Sequence, residues 1–189
     1  MIEMMFYNLR HTSKILLVLT LFFLSGCVIS SDTDIIKNND ATVMFGGQQN
    51  LLWIDNDGQQ ILLERLSGDW DNSYMAQDIA NPADSSRVRF LSWPEFELLP
   101  GESAFIATAE MIDKNNVATA WYYQLLTYDS TRNIWATWSF DPPDGKELKV
   151  RTLDELKKSL TRMIKDKHFK RRELIVFRAS GEGTSGDIK

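Results

Sequence analysis

The chain has 189 residues, with 21 Lys and Arg against 26 Asp and Glu, for a net charge of −5. That length suits one domain with one core, which at this size needs no covalent staples. A single Cys and two His exclude a disulfide framework and leave no ligand set for zinc and no Cys/His nucleophile.

At the start, Arg10, His11 and Lys14 precede a largely apolar run over residues 15–24, too short to span a bilayer comfortably. Leu24-Ser25-Gly26-Cys27 closes the run. This order resembles the signal peptide and lipobox of bacterial lipoproteins. The resemblance implies export, removal of residues 1–26 and acylation of Cys27. One acyl chain holds a protein only marginally, at about 0.8 kcal/mol per buried CH₂. The lipoprotein pathway supplies three chains, so attachment would be permanent. Val28, where an inner-membrane protein of the enterobacterial type carries Asp, implies the outer membrane, with the periplasmic face favoured over the surface. An acylated Cys27 can neither pair nor attack.

Residues 27–40 come next as the acylated cysteine and a flexible polar tether without apolar period. The folded domain is expected over residues 41–179, and a Gly-rich tail over 180–189 should fray. Residues 50–54 and 59–66 predict two strands around Asp55-Asn56-Asp57-Gly58, a hairpin turn, with a helix as the alternative for 59–66. Residues 67–86 are turn-rich, with a helical turn expected over 74–79. Residues 87–93 alternate, with Val88 and Phe90 on one face; Pro94 and Pro100 bracket a short extended piece.

Three strands joined by polar turns then predict an antiparallel meander: residues 103–112, 117–128 and 134–140. Thr152 and Glu155 have the spacing of a capping box, so a helix should start at Leu153, with Leu156, Leu160, Met163 and Ile164 in its apolar stripe. Residues 174–177 form a last strand. The fold class is mainly β: an antiparallel β-barrel with one C-terminal amphipathic helix, closure disposing of sheet edges.

Charge divides unevenly. Residues 27–145 hold 18 acidic against 6 basic groups, and residues 146–172 hold 11 basic against 4 acidic. The basic segment suits anionic head groups, but a solvated helix complementing the acidic body is the favoured reading. An exported protein meets no nucleic acid.

Few constellations carry chemistry. His168 stands alone among Lys167, Lys170, Arg171 and Arg172, and no metal site is expected. Asp55-x-Asp57-Gly58 with Glu64 matches part of a calcium loop, but Trp53 falls where the first ligand belongs, which favours a plain hairpin. Residues 181–186 have a phosphate loop's composition without its lysine or helix. Aromatic side chains are the remaining signal, and such rings fill a small barrel more often than they line a pocket in it.

Leu66-Ser67-Gly68-Asp69-Trp70-Asp71-Asn72, with Gln77 and Pro82 beyond, resembles the opening signature of CpcT/CpeT-type chromophore lyases. Residues 101–111 with Glu110, the Tyr-rich 120–128 and the strand 134–142 are similar to the later strands of that family. The arginines that flank the family's Gln are absent beside Gln124. The resemblance implies a calycin-like barrel around a flat, partly apolar ligand, a bilin or other tetrapyrrole, and bilin lyase activity on the family pattern alone.

Two functions therefore stand: a lipid-anchored binder of such a small hydrophobic ligand, and a non-catalytic structural or interaction lipoprotein of the outer membrane. The sequence leaves homodimerisation open. For the binder, Trp70, Glu110, Tyr122, Gln124 and Trp138 are the candidate ligand-binding residues. Glu110→Gln and Gln124→Ala are expected to weaken binding at nearly unchanged melting temperature. Alternation leaves open whether Glu110 meets solvent or the interior.

Overall fold

In the computed structural model, residues 29–47, 49–55, 58–82, 85–112, 118–140, 147–166 and 169–178 are described. The signal segment, Cys27, the turns at 56–57 and 113–117, His168 and the tail 180–189 lie outside them. The described chain is mainly β, with ten strands and one helix. The strands are β1 (Ile29–Ser31), β2 (Asn50–Asp55), β3 (Gln60–Arg65), β4 (Ser73–Asp78), β5 (Ser85–Ser92), β6 (Glu102–Ile112), β7 (Ala118–Asp129), β8 (Ile134–Phe140), β9 (Leu148–Lys149) and β10 (Phe169–Arg178). The helix, α1, spans Leu153–Lys165.

Each of β2 to β6 pairs antiparallel with the next strand in sequence, as does β7 with β8. β10 pairs antiparallel with both β8 and β2. β1 adds to β7 antiparallel and to β9 in parallel, so the sheet is mixed.

Strand alternation sorts the side chains onto two faces. One, the ring face, carries Trp53, Leu63, Tyr74, Val88, Phe90, Ala107, Ala109, Leu126 and Trp135. The other, the helix face, carries Ile106, Tyr123, Leu125, Trp138 and Phe140, and α1 lays Leu156, Leu160 and Met163 across it. The meander and the helix thus form where the period of the apolar residues places them, and the terminal strand expected over 174–177 forms but begins five residues earlier, at Phe169, where it pairs with β8. Residues 60–65 form strand β3 and not the alternative helix, because both neighbours complete its ladder.

Three expectations are corrected. Residues 74–79 are no helical turn. Tyr74, Ala76 and Asp78 alternate inward in β4, and pairing on both sides overrides the helix propensity of Met, Ala and Gln. The piece between Pro94 and Pro100 is a series of turns and bends rather than extended strand. Nor do residues 29–40 hang free: Ile29 and Ile36 are fully buried in the helix-face core, so this segment is a strap bound to the sheet.

Gly58 sits at φ +81° on the β2–β3 connection, a value that explains Asp-Gly at this hairpin. At the start of α1 the Thr152 hydroxyl accepts from the Glu155 amide at 3.2 Å, and the Glu155 carboxylate accepts from the Arg151 amide at 2.8 Å. Thr152→Ala is expected to lower stability by about 1 kcal/mol, measured by urea denaturation, the usual loss for an N-cap hydroxyl.

Candidate functional site: a buried ion cluster beneath Trp70

β5 reads Arg87-Val88-Arg89-Phe90. Burying Val88 and Phe90 on the ring face forces both arginines onto the helix face. There the register places Arg87 beside Glu110 and Arg89 beside Thr108. The next strand continues the two rows with Trp121 and Tyr123.

Arg87 Nη1 donates to both Glu110 oxygens, at 3.1 and 3.0 Å. Arg89 Nη2 lies 3.5 Å from Glu110 Oε2, and Arg89 Nη1 donates to Asp34 Oδ2 at 2.9 Å. Glu110 is 5% exposed and Arg89 1%. Arg87, Glu110 and Arg89 are buried and need this pairing to stay out of water, while the Asp34 side chain remains 21% exposed and stands 4.0 Å from Lys37. Above them Trp70, 36% exposed, places its ring 3.6 Å from the Arg87 guanidinium carbon. That cation–π contact is worth on the order of 1–2 kcal/mol when partly desolvated. Gly68, at φ +68°, permits the tight turn that aims Trp70 at the cluster.

The strap completes the site. Asn38 donates from Nδ2 to the Asp69 carbonyl at 2.9 Å and accepts from the Ser73 hydroxyl at 2.9 Å, and its own carbonyl accepts from Asn72 Nδ2 at 3.1 Å. Beside it, burial pushes the Tyr123 phenol up to about 12. Because the folded value is raised, that contribution to stability is whole below pH 10 and is lost as pH rises through 12.

Both Glu110 oxygens are engaged by guanidinium, so neither is a free base. Arg87 Nε, Arg89 Nε and Trp121 Nε1 are buried without a hydrogen-bond partner among the described residues. Asp34 Oδ1 is likewise buried without a hydrogen-bond partner among the described residues, so spare donors and a spare acceptor lie together, closed to solvent. No group of three or more His, Cys, Asp or Glu among the described residues could hold a metal ion.

Of the five residues singled out in the sequence, the structure brings two together: Trp70 and Glu110 meet through Arg87. Trp138 shares their face but lies apart. Its indole donates to the Thr127 hydroxyl at 3.0 Å, and its ring stands 5.7 Å from Arg171, which bonds the buried Glu102 at 3.0 Å. Tyr122 and Gln124 pair with Ala109 and Ala107 and so belong to the opposite, ring face. Burial raises the Tyr122 phenol above its ordinary value, and the Glu147 carboxylate adds to the rise. Arg87, Arg89 and Asp34 escape sequence reasoning, although two arginines alternating with Val88 and Phe90 are a signal for the first two. Glu110 is also no solvent-facing carboxylate, so its replacement must move the melting temperature.

No protein-family model, curated protein or solved structure matches the chain.

Proposed function

We propose that the protein is a non-catalytic, lipid-anchored interaction protein of the cell envelope, with its long strands closed as an antiparallel, calycin-like barrel. The circuit of pairings supports closure: β2 through β8 pair in order, and β10 joins β8 back to β2. The basic start, apolar run and Leu24-Ser25-Gly26-Cys27 support acylation of Cys27, and Val28 supports the outer membrane, on its periplasmic face.

One observation carries the choice between a packed and a ligand-holding interior. Trp135 lies 4.6 Å from Tyr128, 4.9 Å from Phe45 and 5.5 Å from Phe105. Phe90 meets Tyr74 at 5.8 Å, Phe45 at 6.0 Å and Trp53 at 6.4 Å. Rings at such centroid distances are in contact, and a tetrapyrrole would enter only by displacing them.

A second reading keeps the CpcT/CpeT-like ligand, a bilin or other tetrapyrrole, but places it outside. The partly exposed Trp70 ring over Arg87 favours it, since it offers a stacking plane beside cations. Mass spectrometry of the protein purified from its own host decides. The expected result is no co-purifying chromophore; a stoichiometric tetrapyrrole would put the binder ahead. For the anchor, Cys27→Ser should move the protein from the detergent phase to the aqueous phase, and a variant still in detergent would refute acylation.

A further inference from the structure

α1 lies on the same side of the sheet as the anchored end of the chain. Its buried Leu156 and Leu160 pack in one cluster with Ile29, the first residue of β1. The flank of α1 turned away from that core is cationic. Lys157, Lys158, Thr161, Arg162, Lys165 and Asp166 line an open hollow of about 400 Å³.

The cations there are unequally engaged. Lys157 donates to Glu95 and stands 5.4 Å over the Trp93 ring. Lys158, Arg162 and Lys165 have no acidic partner among the described residues. Of the carboxylates on this element, Asp154 is four residues before Lys158 and Asp166 four after Arg162, and no ion pair to either cation forms among the described residues. Glu155 closes the N-terminal cap, Asp154 lies in the first turn, and Asp166 is the one carboxylate lining the hollow. A helix that merely complemented the acidic body would point these three cations at it; they point outward.

The strap sets the distance to the anchor. Because β1 starts at Ile29, Val28 alone stands between the sheet and Cys27, two Cα-to-Cα steps away. Fully extended they reach about 7 Å. The Debye length at physiological ionic strength is about 8 Å. A domain held that close cannot swing free, and the face of the sheet on which Ile29 and α1 pack together is kept next to the bilayer.

We infer that the Lys158–Arg162–Lys165 flank of α1 is a docking surface for anionic phospholipid head groups, orienting the domain flat against the bilayer. The inference rests on the lipoprotein reading for its geometry, and the test separates the two.

The protein for the test is the mature chain with Cys27→Ser, which has no cysteine to acylate. It should co-sediment with vesicles containing phosphatidylglycerol, not with pure phosphatidylcholine, and roughly 0.5 M salt, on the order of a 4 Å screening length, should release it. Lys158→Gln, Arg162→Gln and Lys165→Gln combined should weaken the binding about a hundredfold, at roughly fivefold per cation near the surface. The melting temperature should not change, since the apolar stripe is untouched. Equal binding to both vesicle types, no binding, or a triple variant that binds like its parent would each overturn the surface. Detergent partitioning of the Cys27 protein tests the anchor independently. An aqueous result there, with phosphatidylglycerol binding intact, removes the anchor and leaves the docking surface standing.

Discussion

Glu110→Ala is expected to destabilise the protein by about 3–5 kcal/mol, the usual result of removing one partner from a buried ion pair. The substitution leaves Arg87 and Arg89 buried with Asp34 as the remaining carboxylate of the cluster. Urea denaturation should show a lower midpoint with an unchanged slope. A control separates charge from packing. Arg87→Met with Glu110→Met removes the pair together and should cost less than Glu110→Ala alone, because no unpaired charge is left behind. A loss below about 1 kcal/mol for Glu110→Ala would mean that the cluster is open to water.

The elements legible in the sequence are those whose signal is local. Ala107, Ala109, Thr108 and Glu110 alternate along β6, and Thr152 with Glu155 marks the start of α1 before any contact is known. The strap is not legible. Its apolar content over 29–36 is Ile29, Ile35 and Ile36, with no period to distinguish a bound segment from a linker. What orders it is distant in sequence: Tyr123 beside Ile29, and Arg89 against Asp34. β4 escapes for the same reason, since Met75, Ala76 and Gln77 favour helix until β3 and β5 flank them.

The site is half legible. Glu110 stands out as a carboxylate on a strand that buries apolar surface, and Trp70 through its turn. Choosing between solvent and interior requires knowing what faces Glu110. That partner comes from β5, 23 residues earlier, and the counter-ion of Arg89 from the strap, 55 residues from it. Charge pairing at that range leaves no periodicity to find. The aromatic residues are legible as a set but not as two faces. Trp138 and Trp135, three apart on one strand, fall on opposite sides of the sheet, so only one belongs to the packed rings.

Trp135 therefore gives the sharpest test of a filled interior. Trp135→Ala removes the ring that Tyr128, Phe45 and Phe105 all touch, and should destabilise the protein by about 3–5 kcal/mol. The space left behind is apolar and ring-lined, the kind that stays dry and accepts a small aromatic molecule. Free indole should consequently raise the midpoint of the variant, by about 1.4 kcal/mol at ten times its dissociation constant, and leave the parent protein unmoved. A parent stabilised equally by indole would show that the interior already has room for a flat ring. In that event the enclosed tetrapyrrole moves ahead of the packed scaffold, and Tyr122 and Gln124, on the same face as Trp135, become the residues to vary next.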